Sequence, residues 1–203
     1  MANAGPEIIL VRHGETEWSA SGRHTGRTDI PLTDNGRSQA EHVRTRLHGR
    51  RFGTVLTSPL SRAEETCRLA GFGGVAKPRD ELLEWDYGDY EGRTTPEIRE
   101  ERPGWFLWRD GCPHGETAAE VAARVDPLVA ELREATDDVL LFSHGHLLRV
   151  LASRWIELGP ENGAHLALGT ASVSVLGRER EAPAIWLWNG AAHLAAHAGE
   201  GSQ

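Results

Sequence analysis

Ile8-Ile9-Leu10-Val11-Arg12-His13-Gly14-Glu15-Thr16 decides how this chain is read. Four apolar residues run straight into a guanidinium and an imidazole, which reads as a buried strand ending in a polar turn. In open α/β sheets, ligands bind outside the carboxyl ends of the strands. A histidine at that place, beside an arginine and a glycine, is positioned to meet an anion.

The same grammar recurs downstream. Val55-Leu56 leads into Thr57-Ser58-Pro59-Leu60-Ser61-Arg62-Ala63, and Val139-Leu140-Leu141-Phe142 leads into Ser143-His144-Gly145-His146. Glu84 stands in Leu82-Leu83-Glu84-Trp85-Asp86-Tyr87-Gly88. Parallel neighbouring strands would gather these turns at one sheet edge. Arg12, His13, Arg62 and His144 would then ring a pocket suited to a phosphate dianion.

Composition narrows the field. A chain of 203 residues fits one domain with a substantial core. A net charge of −8 argues against a nucleic-acid partner, which calls for a basic face. Local arginines can still make one positive pocket on an acidic protein, so a small phosphorylated metabolite remains a fitting partner. Cys67 and Cys112 make no disulfide framework. No signal-peptide pattern and no apolar run of membrane-spanning length stand out. The expectation is a cytoplasmic protein without a membrane partner; the sequence leaves room for a homo-oligomer.

Along the chain we expect a loose lead-in over 1–6, a strand over 7–12 and a long loop over 13–33. A helix capped at Thr33 runs to Leu47, a strand covers 55–57, and a helix covers 61–70. Residues 80–114, rich in Trp, Pro and Gly, read as a cover over the pocket, with an aromatic cluster at Trp105, Phe106 and Trp108; a packed surface subdomain is the alternative. An amphipathic helix spans 116–134. A strand over 138–143, a helix over 146–157 and closing strands over 171–176 and 184–188 follow. The tail 190–203 reads as loose. The whole chain, 1–203, is one domain.

Several spaced motifs agree in order: Leu10-Val11-Arg12-His13-Gly14-Glu15-Thr16-Glu17-Trp18, Thr25-Gly26, Pro31-Leu32-Thr33, Gly36, Ser58-Pro59-Leu60-Ser61-Arg62-Ala63, Glu84 with Tyr87-Gly88 and Glu91-Gly92, Gly115-Glu116-Thr117 and Ser143-His144-Gly145. Together they resemble the histidine phosphatase superfamily, also called phosphoglycerate-mutase-like, over residues 8 to 175. Glu84 to Gly92 and Trp108 to Cys112 are most similar to its acid phosphatase and sedoheptulose-bisphosphatase-like branch. The resemblance implies an α/β three-layer sandwich, with a mostly parallel central sheet flanked by helices. It also implies a cofactor-independent, metal-free phosphatase acting on sugar phosphates or similar metabolites through a phosphohistidine.

Roles follow from the same resemblance. His13 is the nucleophile. Arg12 and Arg62 clamp phosphate oxygens, and His144 donates to the same oxygens. Glu84, rather than Glu15, Asp86 or Glu91, is the general acid, and a nearby phosphate dianion would keep it protonated. Gly14 and Gly145 let backbone approach the phosphate. Ser19, Thr25, Gly26, Tyr87 and His146 are further substrate-contact candidates. His24, His114, His165, His193 and His197 read as surface or packing residues. Three rivals stand beside this reading: a phosphoglycerate mutase, a metal-dependent hydrolase, and a non-catalytic phosphate-binding module. Against the mutase, Arg93-Thr94-Thr95 follows Gly92 where the mutase branch carries a lysine.

Overall fold

Six strands form one sheet: β1 (Ile8–Arg12), β2 (Thr54–Thr57), β3 (Lys77–Pro78), β4 (Val139–Ser143), β5 (Val173–Glu179) and β6 (Ala182–Gly190). Their spatial order is β3-β2-β4-β1-β5-β6. The first four are mutually parallel, and β5 and β6 close the sheet antiparallel. Among the described residues seven α-helices accompany it: α1 (Glu17–Ala20), α2 (Asp34–Leu47), α3 (Ser61–Leu69), α4 (Thr95–Glu101), α5 (Leu107–Asp110), α6 (Ala118–Arg133) and α7 (Gly145–Trp155). This is a computed structural model, and it describes residues 5–195.

Alternation along β1 explains the layers. Ile8 and Leu10 join a core with Val121, Val125 and Leu128 of α6 and Leu147, Leu148 and Leu151 of α7. Ile9 and Val11 join a second core with Val43 and Leu47 of α2 and Cys67 of α3. Both sheet faces are covered, so the central strands are apolar runs rather than alternating ones. The expected three-layer α/β sandwich is present.

Register brings the three turns level. Val11 pairs with Phe142, and Phe142 with Thr57. The ladder continues one step beyond: the His13 amide donates to the Ser143 carbonyl at 2.9 Å, and the Ser58 amide to the Phe142 carbonyl at 2.9 Å. His13, Ser58 and His144 therefore emerge side by side at the carboxyl end of β1, β2 and β4.

Several expectations change. The 13–33 loop contains α1, begun by a Thr16–Ser19 capping box. β3 is an exposed two-residue edge whose second residue is proline; it carries no hydrophobic pattern to announce it. Helix α6 starts at Ala118, because Thr117 rather than a residue nearer Glu116 caps it, with Glu120 completing the box. Helix α7 starts one residue earlier than expected, at Gly145. Within 80–114, Trp85, Trp105 and Trp108 are buried in the α6–α7 core, whereas Phe106 is 42% exposed and stands apart from the cluster. At the tail, Ala192–Leu194 form a 3₁₀ turn, with His193 Nε2 donating to the Ala171 carbonyl at 3.0 Å. The lead-in 1–4 and the tail 196–203, including His197, lie outside the described residues.

One tight contact docks the His13 turn on α2. A methyl added at Gly14 would lie 2.3 Å from the Gly36 carbonyl oxygen, and one at Gly36 would lie 2.1 Å from the Glu15 carbonyl oxygen. Backbone cannot yield as a flexible side chain does, so Gly36→Ala is expected to destabilise the fold by about 1–3 kcal/mol. The check is a lower urea midpoint at unchanged slope; an unaltered midpoint would contradict the close approach.

Candidate active site

His13 is the first residue past β1 and is 3% exposed. Its Nδ1 lies 2.7 Å from the Gly14 carbonyl oxygen. A carbonyl only accepts, so Nδ1 carries the proton and Nε2 keeps its lone pair. Burial holds the imidazole well below its ordinary pKa, and the Arg62 and Arg12 charges push the same way. The ring is neutral at neutral pH.

His144 is fully buried, its ring centroid 5.2 Å from that of His13. Arg62 Nε donates to its Nδ1 at 3.2 Å. The proton is therefore on Nε2, which donates to Ser58 Oγ at 2.7 Å. Both ring nitrogens are engaged by protein, so the donor expected to face a phosphate is here directed at Ser58. Arg62 is fully buried as well. It donates through Nη1 to the Thr28 carbonyl at 3.0 Å, and through Nη2 to the Thr25 and Gly26 carbonyls at 3.3 and 2.8 Å. Asp29 lies 3.9 Å away.

Arg12 is less committed. Nη1 donates to the Leu168 carbonyl at 2.5 Å, and its buried Nε has no partner among the described residues. Buried donors are almost always satisfied; one left open at a cavity wall points to a ligand.

Glu84 is 4% exposed. Oε1 accepts from the Trp85 and Leu147 amides at 2.9 and 2.8 Å, and Oε2 from the His146 amide at 3.1 Å. Two of these donors belong to the first turn of α7, whose amides have no partner within the helix. Arg124 of α6 braces the segment from behind. It donates to the Glu81, Leu83 and Glu84 carbonyls and to both oxygens of Glu116 at 2.9 Å. Glu116 in turn accepts from the Asp86 amide at 2.8 Å.

These groups border a cavity of about 180 Å³. Of the residues singled out from sequence, Arg12, His13, Ser19, Thr25, Glu84, Tyr87, Gly145 and His146 line it, and so do Arg23, His24 and Arg149. A larger cleft of about 580 Å³ by Cys67 and Pro78 holds none of the groups identified from sequence.

Some expected contacts are placed differently. Arg62 and His144 stand behind the lining residues. Gly14 gives its amide to Thr66 Oγ1 at 3.0 Å and is small because of Gly36. Gly26 supplies a carbonyl to Arg62, and a methyl there would meet Glu91 Oε1 at 2.0 Å; it makes room and does not line the cavity. Ser19 lines the cavity, but its hydroxyl accepts from the Thr16 amide at 2.9 Å and donates to the Thr16 carbonyl at 3.0 Å. Tyr87 and His146 are hydrogen-bonded to each other at 2.6 Å.

His24, expected as a surface or packing residue, packs 4.7 Å from Tyr87 and 5.5 Å from Trp105, burial pushes its pKa down to about 4, and it also lines the cavity. Nothing in its sequence neighbourhood announced this. Arg149 did carry a signal: it lies three residues after His146 on a predicted helix, hence on the same face. Ser58 stands out in the sequence only as part of a motif, yet its Oγ accepts the hydrogen bond from His144 Nε2.

Residues 8–191 match the model of the histidine phosphatase superfamily (branch 1). The chain belongs to that superfamily. It is 45% identical over 181 residues to an acid phosphatase of Mycobacterium tuberculosis, covering 85% of this chain and 86% of that one. It is 38% identical over 197 residues to a sedoheptulose 1,7-bisphosphatase of Saccharomyces cerevisiae, covering 78% and 70%. A solved Mycobacterium tuberculosis open reading frame superposes with a TM-score of 0.87 at 42% identity, covering 91% of this chain and 97% of the other. Relatives named as phosphoglycerate mutases match at 31% to 34% identity.

The neutral histidines set a pH dependence. His13, His144 and His146 are held well below 6.5, chiefly by burial, while an unfolded chain protonates them near 6.5. Below that pH the unfolded state binds protons that the folded state refuses, so stability falls on acidification. Each such imidazole contributes up to about 1.4 kcal/mol per pH unit. Urea midpoints should drop between pH 7 and 5; midpoints that rise would contradict neutral burial.

Proposed function

We propose that this chain hydrolyses small phosphomonoesters, sugar phosphates or metabolites of similar size, through a phosphohistidine on His13. The observation that carries the reading is the unprotonated Nε2 of a buried neutral imidazole, set beside an arginine with an open donor. Membership of the superfamily and the phosphatase names of the relatives support it.

The chemistry runs in two displacements. His13 Nε2 attacks phosphorus, and an N–P bond forms as the ester P–O bond breaks. The leaving oxygen takes a proton from Glu84. Water then attacks the phosphohistidine and gives its proton to the Glu84 carboxylate, the N–P bond breaks, and inorganic phosphate leaves. Charge on the transferred group spreads over three oxygens, so surrounding donors govern the rate. Arg12 offers its open Nε–H. Arg62 adds a second charge, rigidly held by Thr25, Gly26, Thr28 and His144. His144 locks Arg62, and its Nε2–H becomes a phosphate donor if it leaves Ser58.

Phosphoryl exchange between phosphoglycerates is the second reading, favoured by the mutase-named relatives. Against it, the stretch Arg93-Thr94-Thr95 stands where the mutase branch carries a lysine, and Arg93 is engaged by Glu101 Oε2 at 3.0 Å and the Glu97 carbonyl at 3.0 Å. Two free, buried cysteines support the cytoplasmic placement. Among the described residues no helix is long and apolar enough to cross a membrane.

His13→Ala should abolish both phosphoenzyme trapping and phosphate release. Glu84→Gln should slow hydrolysis of alkyl phosphates by roughly 10²–10⁴, and p-nitrophenyl phosphate far less, because nitrophenolate needs little protonation. Equal losses on both would remove Glu84 as the acid. Sustained exchange of 2- and 3-phosphoglycerate without phosphate release would favour the mutase.

A further inference from the structure

The cavity holds more positive charge than one phosphoryl group can balance. Arg12, Arg23 and Arg149 line it, and Arg62 stands behind them. Arg23 has its own carboxylate partner, Glu97 at 3.5 Å. Among the described residues Glu84 is the one carboxylate lining the cavity, and the first step needs Glu84 protonated. A phosphoryl dianion then answers the charges of Arg12 and Arg62, and that of Arg149 is left.

Arg149 is held, but not neutralised. Nε donates to the Gly163 carbonyl at 2.9 Å and Nη2 to the Ala164 carbonyl at 3.1 Å. The guanidinium lies over the Trp108 ring, 4.7 Å from its centroid. None of these partners is an anion. A desolvated cation without a counter-ion is costly, and Nη1 is the donor those contacts leave unused. The rigid stack and two carbonyl anchors orient the guanidinium in advance, which suits recognition of an oxyanion.

Position says which part of the substrate it meets. His146 and Arg149 share a face of α7, three residues apart, about 4.5 Å along the axis. The His146 amide holds Glu84, the group that protonates the leaving oxygen. Arg149 thus stands about one turn from the amide that holds the acid, and Tyr87, His146 and His24 line the same cavity. The short spacing along α7 sets a short reach from the leaving oxygen to Arg149.

Resting on the phosphatase reading, we propose that Arg149 binds a second oxyanion, a carboxylate or a phosphate, carried at the far end of a short leaving group. Preferred substrates are then short-chain phosphomonoesters with an anionic far end.

A matched three-carbon series tests this on the full chain. n-Propyl phosphate ends in a methyl group, 3-phosphooxypropanoate in a carboxylate, and propane-1,3-diyl bisphosphate in a second phosphate. At least one anionic member should exceed n-propyl phosphate in kcat/KM by about ten- to a hundredfold, mostly through KM, and the arm that does so identifies the oxyanion. Arg149→Gln should bring that ratio close to one, and Arg149→Lys should restore part of it. A purely structural Arg149 would lower all three substrates together and leave the ratio intact, which would overturn the proposal. So would a wild-type ratio near one for both anionic members. Dissociation constants of the same series for His13→Ala, with and without Arg149→Gln, should show the same dependence and decide the matter apart from turnover. Absence of phosphate release from every ester, p-nitrophenyl phosphate included, would sink the phosphatase reading instead.

Discussion

A single hydrogen bond, from His13 Nδ1 to the Gly14 carbonyl, is what the rest of the site depends on. It selects the tautomer that leaves Nε2 bare. Burial and two neighbouring guanidinium groups then keep the ring neutral. Remove the carbonyl, and either nitrogen can carry the proton. Remove the burial, and the ring can titrate near neutrality. The Gly14–Gly36 contact protects this arrangement, because the turn holding the carbonyl is pinned between backbone segments.

The opposite requirement falls on the other groups. An incoming dianion needs positive charge, yet positive charge near the nucleophile must not draw a proton to it. Burying Arg62 entirely and anchoring it on three carbonyls and His144 meets both needs. The field is present, and it lowers the affinity of His13 for a proton. The turn after β4 couples these parts: His144 sits at the N-cap position of α7 and locks Arg62, while the second and third helical amides, those of His146 and Leu147, hold Glu84. Nucleophile and acid are thus referenced to adjacent ends of two paired strands, β1 and β4.

Much of this was legible in the sequence because parallel strands advertise themselves. Apolar runs ending in Arg12-His13, in Ser58 to Arg62 and in Ser143-His144 could be aligned without coordinates, and their register places the turns side by side. Glu84 was legible only through family spacing, since Glu15, Asp86 and Glu91 were rival carboxylates. What escaped was set by side-chain partners. His24 reaches the cavity because the α1 turn folds back against Tyr87 and Trp105, a tertiary fact with no local pattern. Gly14 and Gly26 look like ligand-contacting glycines, yet each is small because backbone or Glu91 occupies the neighbouring space. Ser19 looks like a phosphate contact, yet its hydroxyl completes a helix cap. β3 is too short to show any periodicity.

The most direct measurement of the central claim is nitrogen-15 NMR of the His13 ring in the ligand-free protein, followed from pH 7.5 to 5.5. The account predicts a proton bound at Nδ1 and an unprotonated Nε2 across that range. An imidazolium near neutral pH, or a ring protonated at Nε2 alone, would contradict it.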